Sequence, residues 1–278
     1  METIQRQYAE DKGIIHNNML SYSHFCSANP DKIEVAFFQG GIPESEQKPE
    51  AEIAIFDLSW NELERREGAV YPVVDASDDK SWLAVHKLEI TPGSYWFGVR
   101  TRTEEGVRWV ERGLMELNPF STRRLELSRV VLGSLPQDDN DCYSRKDIHM
   151  LPRPSQKFKR GEIISVYLEV YNLEQNLDGS RGFTVEVDVT LVEDDAEKKI
   201  AYAGGTIRSR KLDPEKSTTS LSHRFTRAPA SDTGPVAEFF TVDTSELDPA
   251  NYRMIIKIND NNRTRRSSNQ VPCIFELE

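Results

Sequence analysis

A repeat with a long period constrains the fold of this chain more than any other feature. Residues 82–117 read WLAVHKLEITPGSYWFGVRTRTEEGVRWVERGLMEL. Apolar residues lead into a Pro-Gly turn at 91–93, after which Tyr95, Phe97 and Val99 occupy every second position. This is the period of a half-buried strand. The turn at 104–106 predicts that the chain then returns as the second strand of a hairpin.

The same pattern returns 157 residues later. The matching positions are Trp82 with Phe239, Ile90 with Leu247, Pro92 with Pro249 and Tyr95 with Tyr252. A repeat of this length predicts two copies of one β-domain. The second half also contains about seven short strand patterns separated by turns, as in immunoglobulin-like sandwiches. We therefore predict an all-β chain of two tandem immunoglobulin-like or fibronectin-like antiparallel β-sandwich domains with a short N-terminal extension.

The predicted boundaries follow from composition. Residues 1–17 form the extension, 18–136 the first domain and 137–278 the second, with an acidic run at 137–141 between the domains. Residues 119–136 are too apolar for a free tether and are predicted to leave the first domain as a connecting strand. Residues 60–66 are predicted to be a loop or a single turn. The strand at 70–74 is predicted to be an edge strand or to contain a bulge, because it contains Pro72.

The repeated proline and tyrosine have a structural interpretation. In Greek-key sandwiches a tyrosine that follows a turn can donate its hydroxyl to a nearby backbone carbonyl and fix the corner. The pairs Pro92 with Tyr95 and Pro249 with Tyr252 fit such a tyrosine corner. We interpret both pairs as structural.

Charge and length exclude several classes of partner. The net charge of -11 disfavours nucleic acid or an anionic membrane surface as the main partner. No apolar run is long enough to span a bilayer, so no membrane insertion is predicted. No signal-peptide pattern is visible, and three scattered cysteines predict neither a disulfide framework nor a metal site. The oligomeric state stays open.

Three short segments resemble one known family. They are residues 90–95 (ITPGSY), 125–128 (LELS) and 158–171 (FKRGEIISVYLEVY). They are similar to a β-rich region of bacterial envelope proteins that follows a GWxTD domain in some members and a von Willebrand A-like domain in others. Neither the GWxTD motif nor a DxSxS motif occurs in this chain. The resemblance implies an exported, non-catalytic module of the periplasm or cell surface.

No catalytic, cofactor or metal motif is found in the sequence. The five histidines have no zinc spacing, and no GxSxG or phosphate-binding loop is present. His86 falls in a strand pattern, and we expect its imidazole to be hydrogen-bonded at a sheet face. Asp138, Asp139 and Asp141 could offer oxygen ligands to Ca²⁺, although their spacing matches no calcium loop and a solvated acidic linker is the simpler interpretation.

The aromatic hairpin supplies the candidate contact face. Trp96 and Trp109, if paired on the outer face with Arg100 and Arg108 nearby, would bind another protein, such as a component of an envelope assembly. The structural alternative is that both tryptophans pack inside the domain. The functional alternative is a carbohydrate-binding or accessory module of a glycan-active enzyme, in which flat aromatics stack on sugar rings. The weakest alternative is a hydrolase with two carboxylates in a cleft.

Overall fold

The structure is a computed structural model that describes residues 20–43, 45, 47–74, 80–104, 106–137, 142–191, 201–203, 206–208, 221–227, 234–264 and 267–278. All regular elements in these ranges are strands. The chain divides into two compact units. Unit 1 contains residues 1–119, 136–144 and 151–155, and unit 2 contains residues 120–135, 145–150 and 156–278. The predicted extension, 1–17, lies outside the described residues, as does the acidic run from Asp138 to Asp141.

The first eight strands all belong to unit 1. They are β1 (Leu20–Cys26), β2 (Ile33–Pro43), β3 (Glu50–Phe56), β4 (Glu62–Glu67), β5 (Ala69–Val74), β6 (Lys80–Ile90), β7 (Gly93–Thr103) and β8 (Gly106–Leu117). They form two four-stranded antiparallel sheets, with strand orders β1-β2-β6-β5 and β4-β3-β7-β8. The core lies between the sheets, where the ring centroids of Phe37 on β2 and Phe97 on β7 are 5.0 Å apart. β5 is an edge strand, as its proline predicts.

The other described strands range from two to 11 residues. They are β9 (Glu126–Leu127), β10 (Val131–Ser134), β11 (Tyr143–Arg145), β12 (Ile148–Pro152), β13 (Lys157–Phe158), β14 (Ile163–Tyr171), β15 (Arg181–Leu191), β16 (Ala201–Ala203), β17 (Thr206–Arg208), β18 (Leu221–Arg227), β19 (Val236–Asp243), β20 (Ala250–Asp260) and β21 (Ser268–Leu277).

Unit 2 is also a sandwich of two sheets. One sheet contains β10-β14-β19-β17-β16 in that order, and the other runs β13-β21-β20-β15-β18. Val166 and Leu168 of β14 pack with Val185, Val187 and other buried apolar residues in one core. β14 is buried on both faces from Ile164 onward, as its continuous apolar sequence predicts for a central strand. Two pairs, β13 with β21 and β17 with β19, are parallel.

The repeat in the sequence is a repeat in the structure. β7 spans Gly93–Thr103 and β20 spans Ala250–Asp260, the same strand displaced by 157 residues. β7 follows β6 and β20 follows β19, and in both cases the preceding strand belongs to the opposite sheet. Each then pairs with the strand that follows it: Gly93 of β7 lies opposite Leu117 of β8, and Ala250 of β20 lies opposite Leu277 of β21. Each unit therefore carries the same corner and hairpin. The predicted fold class, two tandem immunoglobulin-like antiparallel β-sandwiches, is confirmed.

Two local predictions differ from the structure. Residues 62–67 form strand β4 on the edge of a sheet, because the backbone of β3 offers a ladder that outweighs the helical propensity of Glu and Arg. Residues 120–135 belong to unit 2, where β9 and β10 pair with β14 and Leu125 joins the core. The predicted domain boundary, between residues 136 and 137, therefore falls in a stretch of the chain that alternates between unit 1 and unit 2.

Both corner tyrosines donate to a carbonyl four residues upstream. Tyr95 Oη lies 2.9 Å from the Thr91 carbonyl oxygen, and Tyr252 Oη lies 2.8 Å from that of Asp248. Tyr252 is fully buried, and burial is the main cause that raises the pKa of its hydroxyl. The Thr91 hydroxyl makes a second contact with Tyr95, also at 2.9 Å.

We expect Tyr95→Phe to lower the free energy of unfolding of unit 1 by about 1 kcal/mol, because it removes one hydrogen bond and leaves a carbonyl without its donor. All four tryptophans lie in residues 1–119, so tryptophan fluorescence during urea unfolding reports on unit 1 alone. The control is Thr91→Val, which keeps the backbone acceptor and should cost less. Equal losses in the two variants would contradict a role for the carbonyl bond.

Candidate functional site

An aromatic cluster lies on the outer face of the β4-β3-β7-β8 sheet of unit 1. Phe56, Trp96 and Leu114 are directly opposite one another on β3, β7 and β8, and form one row across the sheet. Trp60, from the turn after β3, stacks on Trp96 with ring centroids 5.0 Å apart and planes 10° from parallel. Trp60 also contacts Phe56 at 5.7 Å. We call these four residues the tryptophan patch.

The patch is apolar and open to solvent at its edge. Phe56 is 2 % exposed, both tryptophans are half-buried, and Leu114 is 47 % exposed. Trp96 faces outward because Phe97, its neighbour on the strand, points into the core. The indole of Trp60 thus lies on the outer face of the sheet, where it contacts the ring of Phe56.

A rigid turn holds Trp60 in place. Asp57 Oδ1 accepts the backbone N–H groups of Ser59 and Asn61, and Asp57 Oδ2 accepts the Asn61 side-chain amide at 2.7 Å. These bonds, the Asn61 amide first among them, lower the pKa of Asp57. Trp60 itself has a φ of 65°, a left-handed conformation that is uncommon for a bulky residue. Such strain persists only where the surroundings impose it, and it concentrates at functional positions.

A charged network borders the patch. Glu52 Oε1 accepts hydrogen bonds from Arg65 at 2.7 Å and from Arg100 at 2.6 Å, and Arg65 also pairs with Glu62 through two N–H groups. The hydrogen bond from Arg65 lowers the pKa of Glu62. Two arginines and two glutamates neutralise each other here. The patch therefore has a polar rim without excess charge of either sign.

The structure places the predicted contact residues as follows. Trp96 belongs to the tryptophan patch, and Arg100 belongs to its charged rim. The register does not pair the two predicted tryptophans, since Trp96 lies opposite Leu114 whereas Trp109 lies opposite Thr101. The side chains of Trp109 and Arg108 lie outside the described part of the molecule. Their predicted role in binding stays a prediction.

Among the described residues of the second copy, the strand positions that correspond to Trp96 and Leu114 do not form such a patch. Arg253 and Ile274 occupy on β20 and β21 the positions that Trp96 and Leu114 occupy on β7 and β8. Arg253 is exposed. Because the same corner and hairpin form with an arginine at this position, the sandwich does not need a tryptophan there.

Sequence reasoning missed Trp60 as a contact residue. Its signal was the run Asp57-Leu58-Ser59-Trp60-Asn61, in which aspartate, serine and asparagine favour side-chain-capped turns. That pattern predicts a turn. It does not predict that the turn stacks the indole of Trp60 on the indole of Trp96 in strand β7.

The prediction for His86 was wrong. Its side chain is fully buried, and neither ring nitrogen has a hydrogen-bond partner among the described residues. Its neighbour is Gly68, where an added Cβ would lie 2.6 Å from the imidazole. Burial lowers the pKa of His86 to about 4. The neutral imidazole is thus shielded from solvent.

Unit 2 contains an enclosed polar cluster. The fully buried Glu169 carboxylate accepts hydrogen bonds from Arg145 at 2.6 Å, Tyr167 at 2.7 Å and Tyr171 at 2.6 Å. Every oxygen of the carboxylate is therefore matched by a donor, and the cluster is suited to stabilising the sheet. In the described ranges, no group of three or more histidine, cysteine, aspartate or glutamate side chains could hold a metal ion. The same ranges contain no helix long and apolar enough to cross a membrane.

Comparisons with known proteins give only distant likenesses. No protein-family profile and no curated protein matches the chain. A tetra-tandem repeat from the extending region of a large adhesion protein is 12 % identical, with a TM-score of 0.23; the match covers 93 % of this chain and 49 % of that one. The C-terminal domain of the AgI/II polypeptide BspA of Streptococcus agalactiae is 9 % identical, with a TM-score of 0.25 and coverage of 92 % and 99 %.

An enzyme is found at the same level of similarity. Red sea bream transglutaminase is 8 % identical, with a TM-score of 0.25, and the match covers all of this chain and 33 % of that one. This chain thus spans about half of the adhesion-protein fragment and a third of the transglutaminase. At these identities and TM-scores the likenesses carry no argument about function.

Proposed function

We propose that this chain is a non-catalytic binding protein of two β-sandwiches that contacts another protein through the tryptophan patch of unit 1. The observation that carries the proposal is the stacked pair of Trp60 and Trp96 on an outer sheet face, at a position where the second copy has Arg253. A position that the fold leaves free and that holds a large aromatic cluster is a candidate contact surface.

The composition of the patch favours a protein partner. Residues that dominate binding energy at protein interfaces are enriched in tryptophan and arginine, with an apolar centre and a polar rim. The tryptophan patch supplies the centre, and Arg65 and Arg100 with their glutamates supply the rim. The arginines and glutamates of the rim neutralise one another. We therefore expect the part of the partner that contacts the centre of the patch to be apolar.

A carbohydrate ligand is the second candidate. Sugar rings stack on open faces of flat aromatic side chains, which would favour the exposed face of an indole. However, the ring of Trp60 occupies one face of Trp96, and the ring of Phe56 also contacts Trp60. One face of each stacked indole is thus closed to a sugar ring, which favours a protein contact over a sugar-binding platform.

The cellular setting is a separate part of the proposal. The resemblance of three segments to envelope proteins supports a role in an assembly of the bacterial envelope, in the periplasm or at the cell surface. This part is tested by locating the full-length protein in cell fractions, independently of the binding experiment.

The binding test uses the full chain as bait in a bacterial envelope extract, with captured proteins identified by mass spectrometry. We expect the double variant Trp60→Asn/Trp96→Thr to weaken binding of the captured partner by at least about 30-fold, the effect of losing a central interface residue. Asparagine tolerates the left-handed backbone at position 60, and threonine favours a strand, so both changes preserve the fold.

The matched control is Arg253→Thr at the equivalent position of unit 2, which should retain the partner. Equal capture by the wild type and the double variant would contradict the proposal. Retention on insoluble glycans that is lost in the double variant, with no protein captured, would favour the carbohydrate alternative.

A further inference from the structure

The strand equivalent to β8 in unit 2 has an additional neighbour. β21 pairs with β20 on one side, and on the other side it pairs in parallel with the short strand β13. Lys157 lies opposite Glu276, and Phe158 lies opposite Leu277. The backbone N–H groups of Glu276 and Glu278 donate to the carbonyls of Gln156 and Phe158 at 2.9 Å. The outer edge of this sheet is thus covered by the chain itself.

In unit 1 the structure describes no such strand at the corresponding edge. β8 is the last strand of the order β4-β3-β7-β8, and none of the residues that the structure describes pairs with its outer edge. β13 precedes β14 in unit 2. The equivalent stretch of unit 1, residues 27–32 ahead of β2, is instead a tight turn closed by a bond from the Lys32 N–H to the Asn29 carbonyl. A sheet edge of this kind is a ready template for an added strand.

The side chains along β8 define what the added strand should carry. Arg112, Leu114 and Glu116 are exposed and alternate with inward-facing residues, so they share the outer face. Glu116 corresponds in register to Glu276, whose carboxylate pairs with Lys157 at 3.0 Å. The row of Phe56 and Trp96 ends at Leu114, and the described strands place no residue on the other side of Leu114.

We infer that the outer edge of β8 accepts a parallel β-strand from a partner protein, with an acidic, an apolar and a basic side chain at alternate positions. The basic residue pairs with Glu116 as Lys157 pairs with Glu276. The apolar residue extends the tryptophan patch beyond Leu114, and the acidic residue pairs with Arg112. This inference rests on the proposed binding function and specifies the form of the partner. Main-chain hydrogen bonds give such strand addition its affinity, and the alternate side chains give it specificity.

The test uses the full chain and the capped peptide TETITKT, which carries glutamate, isoleucine and lysine at alternate positions. Binding is followed by hydrogen exchange of the backbone amides and by titration calorimetry. We expect the peptide to protect the amides of Glu116 and Asn118, which correspond to the two donors of β21. The peptide TEPIPKT, whose prolines cannot complete the ladder, should bind at least about tenfold more weakly.

Orientation and charge are tested together. The reversed peptide TKTITET matches the same charges only in the antiparallel direction, so it should bind the wild type at least about tenfold more weakly than TETITKT. The double variant Arg112→Glu/Glu116→Lys should reverse this preference. Equal binding of the two peptides, or tighter binding of the reversed one, would overturn the parallel arrangement. Absence of protection at β8 would overturn strand addition.

Two further outcomes separate this inference from the proposed function. If a captured partner is lost in Trp60→Asn/Trp96→Thr but retained in Arg112→Glu/Glu116→Lys, the binding function stands and the strand inference fails.

A chain that starts at residue 20 provides the last comparison. If the peptide binds this shortened chain but not the full chain, the edge is occupied by residues 1–19 and the inference of a partner strand fails.

Discussion

Replacing Arg145 with alanine should lower the free energy of unfolding of unit 2 by about 3–5 kcal/mol. The Glu169 carboxylate is fully buried, and Arg145, itself only 10 % exposed, is the cation beside it. Without the guanidinium, Tyr167 and Tyr171 would be the remaining side-chain donors to an uncompensated buried charge. Unit 2 contains no tryptophan, so the measurement is hydrogen exchange of the β14 amides as a function of denaturant.

The control lies in the same unit. Lys257 and Glu186 form an ion pair at 2.9 Å, but the lysine side chain is 40 % exposed, so Lys257→Ala should cost less than about 1 kcal/mol. The double variant Arg145→Met/Glu169→Gln removes both charges and keeps an acceptor for a tyrosine hydroxyl. It should recover part of the loss. Equal costs for Arg145→Ala and Lys257→Ala would mean that burial of the pair does not matter.

Unit 1 should lose stability as the pH falls from about 6.5 to about 4. Burial lowers the pKa of His86 from 6.5 to about 4. Between these values the unfolded chain binds a proton at this residue and the folded chain does not, so acid favours unfolding. The full effect at this single histidine is on the order of 3 kcal/mol. Urea unfolding followed by tryptophan fluorescence at several pH values measures it for unit 1 alone.

The variant that isolates this effect is His86→Leu, which has no ring nitrogens to protonate or to leave unpaired. Subtracting its stability from that of the wild type at each pH removes the contribution of carboxylates that titrate in the same range. The difference should grow steadily in favour of the variant below about pH 6.5. A difference between the two proteins that does not change with pH would show that other groups cause the loss of stability.

The sequence by itself determined the features that depend on local periodicity. Alternation at Tyr95, Phe97 and Val99 predicted β7, and continuous apolar character predicted that β14 is buried on both faces. Pro72 predicted an edge strand or a bulge, because proline cannot donate to a central ladder, and β5 is an edge strand. The 157-residue repeat predicted the duplication, since a second corner needs the same turn and the same tyrosine. Each of these signals, including each copy of the repeated turn and tyrosine, lies within a few residues of the strand or corner that it predicts.

Only the tertiary structure decided which residues meet. Trp60 stacks on Trp96, residues 120–135 enter unit 2, and β13 covers the edge of β21. His86 shows the same limit. Its strand position was predictable, but the lack of a hydrogen-bond partner among the described residues depends on the side chains around it. Periodicity specifies which face of a strand is buried. Register, strand order and the contents of each core follow from packing between distant segments, where many pairings satisfy the same alternation.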